Sequence, residues 1–69
     1  MIRVKIREVA EAQGYNMSSL SRKADVSFTT IKRFWRDPYR RIDTELLERV
    51  ARALGVSIHE LLEEVPDVP

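Results

Sequence analysis

Residues 24–38 read ADVSFTTIKRFWRDP, and they hold both phenylalanines and the single tryptophan of a 69-residue chain. Lys32, Arg33 and Arg36 stand among those rings. The stretch divides at Ser27. Val26 is apolar, Ser27 is small and polar, and Ile31 is the apolar residue five places after Val26. A side chain such as Ser27 accepts from the unpartnered N–H groups of a first helical turn, and the flanking apolar pair closes across it as a hydrophobic staple. Asp25-Val26-Ser27 is therefore a turn, and Phe28 opens a helix.

The same signature occurs at Tyr15-Asn16…Leu20, Ile42-Asp43…Leu47 and Val56-Ser57…Leu61. Ser57 and Glu60 add the spacing of a capping box. With an N-terminal helix, the chain is expected to be all-α, a bundle of five helices at about 2–13, 17–24, 28–36, 44–54 and 58–64. Ile2, Ile6, Val9, Ala10 and Gln13 share a stripe in the first helix, as do Leu47, Val50, Ala51 and Leu54 in the fourth. Gly14 and Gly55, the only glycines, follow expected helix ends, where a left-handed residue is wanted. Asp37 precedes Pro38 and is pushed out of helical angles, which ends the third helix. One domain is expected over 1–64, with a short tail at 65–69.

A chain this short buries only about 60% of its unfolded surface. It has no cysteine to reinforce it. No apolar run has the length of a signal peptide or a membrane span, so the expectation is a cytoplasmic protein with no membrane partner. Net charge is +1, unevenly distributed. Residues 22–41 carry seven cations against Asp25 and Asp37, whereas residues 42–69 carry Arg49 and Arg52 against seven acids. A basic block on a near-neutral chain is the footprint of a polyanion partner, or one half of a protein whose two halves attract each other.

A three-residue turn makes the second and third helices cross steeply, as in a helix-turn-helix. Asp25 sits where such a turn wants positive φ, which Asp tolerates better than most residues. Ser21, four residues earlier, is small enough for the third helix to approach closely. The chain resembles the phage-repressor and Cro-type (Xre-like) helix-turn-helix domains from about Ile2 to Leu62. The residues that carry the resemblance are Gly14-Tyr15-Asn16, Leu20-Ser21, Asp25-Val26-Ser27, Ile31, Phe34 and the segment from Leu47 to Leu62, above all ARALGVSIHELL.

Advancing about 100° per residue from Phe28 puts Ile31 and Phe34 near 300° and 240°, a buried face. Opposite lie Arg36, Thr29 and Arg33, near 80°, 100° and 140°, with Lys32 near 40°. No acid precedes Asp37 in this helix. Such a face suits a major groove, with cations for phosphates and short or forked side chains for base edges. The resemblance implies base contacts by Phe28, Thr29 and Arg33. Arg33 suits a guanine or a phosphate; Phe28 suits a thymine methyl or a half-buried rim position. Lys32, Arg36, Tyr39, Arg40 and Arg41 suit the sugar–phosphate backbone. Asn16, Ser27 and Thr30 join them at helix N-termini, where backbone N–H groups meet phosphates. Arg22 and Lys23 are rim charges.

Three positions depart from the family pattern. Met17 stands where relatives often have Gln, and Asp37-Pro38 where many have Gly. Ala10 and Trp35 replace an Arg–Glu pair, which suggests that Trp35 packs on the first helix rather than stacking on a base.

Enzyme chemistry has no constellation here. His59 is alone and expected to be exposed, Glu60, Glu63 and Glu64 lack a partner base, and no metal-ligand spacing or phosphate loop is present. No cofactor, metal or small-molecule ligand is expected. The leading expectation is a sequence-specific double-stranded-DNA binder, a transcriptional repressor acting as a homodimer on an inverted repeat. Helices four and five, Val65 and Val68 are the candidates for the dimer contact. The alternative is an antitoxin or anti-repressor module that docks on a protein through its acidic end.

Overall fold

The computed structural model describes residues 1–66; Val68 and the rest of the expected tail beyond Pro66 lie outside the described residues. The chain runs β1 (Ile2–Val4), α1 (Ile6–Ala12), α2 (Met17–Ala24), α3 (Phe28–Arg36), α4 (Thr44–Leu54), a 3-10 helix (Ile58–Leu61) and β2 (Leu62–Glu64). The second, third and fourth helices span the expected residues. No membrane-length apolar helix occurs among the described residues.

Both ends of the chain correct the five-helix, all-α expectation. Residues 2–4 form a strand instead of opening the first helix, and β2 replaces the second half of the fifth. The strands pair antiparallel, with Ile2 opposite Glu64, Arg3 opposite Glu63 and Val4 opposite Leu62. Alternation explains the choice, since successive strand residues point to opposite faces. Val4 enters the core at 2% exposure. Arg3 turns to the other face, pairing with Glu63 at 3.2 Å and with Glu8. The hydrogen bond with Glu8 is the largest cause holding the Arg3 pKa above its ordinary value. The ladder runs on past both strand ends: the Val65 amide donates to the Met1 carbonyl at 2.9 Å, and the Lys5 amide to the Leu61 carbonyl at 2.7 Å. Ser57 and Glu60 do form the capping box, but it starts only one short turn before the chain extends into β2.

Three links between helices use one design. At Gly14-Tyr15-Asn16, Asp25-Val26-Ser27 and Gly55-Val56-Ser57, the first residue is left-handed, with φ of 84°, 56° and 68°. The second residue's amide bonds back to the preceding helix: Tyr15 to the Ala10 carbonyl, Val26 to Ser21 and Val56 to Ala51. This closes a Schellman motif. That second residue packs on the core, and the third begins the next helix. One apolar side chain thus seals the end of one helix and staples the start of the next.

The core gathers Val4, Ile6 and Ala10 from the N-terminal part, Leu20 and Ala24 from α2, and Ile31 and Phe34 from α3. Leu47, Val50, Ala51 and Leu54 of α4, with Leu61, complete it. Gln13 follows α1 instead of extending its stripe, and its Nε2 donates to the Leu54 carbonyl at 2.8 Å. The link satisfies an otherwise open carbonyl at the end of α4.

Candidate nucleic-acid interface

The turn before α3 is held from both sides. The Val26 carbonyl accepts from the Ser21 hydroxyl, while the Val26 amide donates to the Ser21 carbonyl. Ser21 is thus a clamp as well as a small contact. Arg49 of α4 adds a long bond, 3.4 Å, from its guanidinium to the Asp25 carbonyl. Ser27 then caps α3, accepting from the Thr30 amide at 3.2 Å and sharing a hydroxyl contact of 2.8 Å with Thr30. Asn16 caps α2, accepting from the Ser19 amide at 2.8 Å, and the Ser19 hydroxyl accepts from the Asn16 amide at 2.9 Å.

With α3 seated in this way, Ile31 and Phe34 are buried, and Thr29, Arg33 and Arg36 are exposed. Lys32 and Thr30 are half-buried at the edges of this face. The Phe28 ring is 45% exposed, so it projects from the helix start and leaves the core. Trp35 is half-buried and packs against the core that contains Ala10, in keeping with the lost ion pair. Met17 packs on the same core, which accounts for an apolar residue at the start of α2.

After α3, Asp37 is extended (φ −128°, ψ 90°), and its carboxylate accepts from the Tyr39 amide at 3.2 Å. The Pro38 carbonyl accepts from the Val4 amide at 2.7 Å. The loop is thereby fastened to β1, with Tyr39 50% exposed and Arg40 and Arg41 exposed. The structure thus places Phe28, Thr29, Arg33 and Arg36 along α3, and Tyr39, Arg40 and Arg41 in the loop that follows it, beside β1. Val4, the anchor of this loop, carries no local signal in the sequence, because the bond spans more than thirty residues.

Charge pairing separates this surface from the rest. Outside residues 22–41 every arginine is ion-paired: Arg3 with Glu8 and Glu63, Arg7 with Glu11 at 3.5 Å, Arg49 with Glu45 at 3.0 Å and Arg52 with Glu48 at 3.9 Å. Among the described residues, none of Arg22, Lys23, Lys32, Arg33, Arg36, Arg40 and Arg41 has an acidic partner. Arg22 reaches only the Ser18 hydroxyl, at 3.1 Å. The basic block is not neutralised by the acidic third of the chain.

A left-handed turn between two capped helices, the second displaying unpaired cations, is the arrangement of a DNA-binding helix-turn-helix. Residues 5–67 match the Cro/C1-type HTH DNA-binding domain, and the chain belongs to that family. It is similar to the HTH-type transcriptional regulators SinR of Bacillus subtilis (strain 168) and of Bacillus licheniformis, 33% identical over 64 residues in each case. The match covers 93% of this chain and 58% of either relative, so the chain spans little more than half their length.

Proposed function

We propose that this chain is a sequence-specific double-stranded-DNA-binding transcriptional regulator, a repressor that reads the major groove with α3. The observation that carries the reading is the set of cations on α3 and the following loop, exposed or half-exposed and without acidic partners. Arg33 pairs with the acceptor edge of a guanine, Thr29 bonds a base edge, and Phe28 packs on a thymine methyl. Lys32, Arg36, Tyr39, Arg40 and Arg41 grip the backbone, with Thr30 and the capped N-termini at Asn16 and Ser27. Two copies related by a two-fold axis take half-sites about 34 Å apart on an inverted repeat. The protein acts in the cytoplasm, on the nucleoid.

The protein-docking alternative has weaker support. Of the acidic end, Glu45, Glu48 and Glu63 are already engaged by arginines. Selection of bound duplexes from a random pool, followed by gel shifts at two salt concentrations, tests the proposal. Enrichment of one palindromic motif, bound less tightly at higher salt, is the expected result. Failure of the folded protein to retard any duplex at low salt would sink it.

A further inference from the structure

The corner between α2 and α3 is also held by α4. The Arg49 guanidinium donates to the Asp25 carbonyl at 3.4 Å, and Glu45, one turn earlier on α4, pairs with the same guanidinium at 3.0 Å. The guanidinium therefore reaches the turn with its direction already set by its own helix. The Arg49 side chain is 49% exposed, against 80% for Arg52 three residues on, so Arg49 lies against the protein where Arg52 stands in water.

Two open clefts of about 280 Å³ each flank this contact. One is lined by Asp25, Val26, Ser27 and Thr30 with the start of α4, the other by Lys23 and Ala24 with Arg52 and Ala53. Arg49 is common to both linings, so its side chain is the wall between them. Without it the clefts merge into one gap between the turn and α4, and water takes its place at the Asp25 carbonyl. Asp25 is also the one non-glycine residue with positive φ among the described residues, at 56°. A side chain there is strained, and strained backbone persists where its surroundings over-determine it. Arg49 supplies part of that constraint.

We infer that Arg49 is a positioning residue for DNA recognition, which fixes the angle at which α3 leaves the turn and touches no DNA itself. The inference rests on the DNA-binding reading proposed above. Phe28 and Thr29, two of the side chains assigned there to base edges, stand three and four residues after Asp25. A base-edge contact tolerates little misplacement of the helix that carries it, whereas a long cationic side chain can follow a phosphate. Loss of Arg49 therefore lowers discrimination between matched and mismatched duplexes more than it lowers affinity for DNA in general.

The experiment has two arms, both on the full chain: wild type, Arg49→Ala, Glu45→Ala and the double variant. Thermal melts confirm that each is folded. Without DNA, hydrogen exchange compares the Val26 amide, which donates to the Ser21 carbonyl, with the equivalent Tyr15 and Val56 amides of the other two corners. Arg49→Ala is expected to speed exchange at Val26 about fivefold, the worth of one hydrogen bond, and to leave the other two amides unchanged. Glu45→Ala does the same to a smaller extent and adds nothing on top of Arg49→Ala. With DNA, Arg49→Ala is expected to lose about fivefold in the ratio of matched to mismatched binding, at an unchanged salt slope. A phosphate contact would instead lower that slope by about one. Unaltered exchange at Val26, or an equal rise at all three amides, overturns the inference. So does a reduced salt slope, or a matched-to-mismatched ratio equal to the wild type's. A wild type that retards no duplex, with Val26 still loosened in Arg49→Ala, would overturn the DNA-binding reading and leave Arg49 as a contact of the fold alone, so the two failures are distinguishable.

Discussion

The Val4 amide donates to the Pro38 carbonyl at 2.7 Å, which fastens the first strand to the loop that follows α3. Val4 also buries its side chain, so one residue serves both the core and the loop. Val4→Ala leaves the amide in place but opens a small cavity, with an expected cost of about 1–2 kcal/mol. In a domain of this size each kcal/mol lowers Tm by roughly 4–8 °C. Calorimetry of the variant checks this. An unchanged Tm would show that the ribbon packs only loosely on the core.

Asp25 supplies the left-handed residue of the helix-turn-helix, where the other two equivalent turns use glycine. Asp25→Gly removes the steric cost of a side chain there and is expected to stabilise by up to about 0.5–1 kcal/mol. Asp25→Val, β-branched at positive φ, is expected to lose about 1–2 kcal/mol. Urea melts of the pair, compared with wild type, should move the midpoint in opposite directions.

Gln13 joins the ends of α1 and α4 through the Leu54 carbonyl at 2.8 Å. Gln13→Ala deletes one neutral hydrogen bond, worth about 0.5–1.5 kcal/mol. Denaturant titration should show a lower midpoint with an unchanged slope, since no surface becomes newly exposed on unfolding.

Arg33 and Arg36 lie on the same exposed side of α3 but are proposed to do different work. Arg33→Ala should cost about 1–3 kcal/mol of binding to the preferred sequence and relax selectivity at one base pair. Arg36→Ala should weaken all duplexes alike and reduce the salt slope by about one unit. Gel shifts on matched and single-mismatch duplexes across a salt series separate the two. Equal loss on every duplex from Arg33→Ala would remove it from the base-reading set.

Much of this was legible in the residues. The cap-and-staple spacing at Asn16, Ser27 and Asp43 located α2, α3 and α4, because capping is chemistry between near neighbours. The outward face of α3 followed from helical geometry once Phe28 was its first residue. The ribbon was not legible in the same way. Ile2 and Ile6 fit a helical stripe as well as they fit alternation with Val4, and the deciding partner, Leu62–Glu64, lies some sixty residues away. Leu62 and its neighbours likewise continued the helical reading begun by the Ser57 capping box. The course of the loop after Asp37 depended on that ribbon, so it was hidden along with it.

The distance along the chain between β1 and β2 also bears on kinetics. The corner between α2 and α3 closes a handful of residues, whereas joining β1 to β2 closes a loop of some sixty residues, at a cost in chain entropy that grows with loop length. Contacts this remote are expected to form after the rate-limiting step. Weakening the ribbon, as in Arg3→Ala, should then leave the folding limb of a chevron unmoved and accelerate unfolding. The helix-turn-helix would come together first, and the two ends of the chain would act as the latch that keeps it from coming apart.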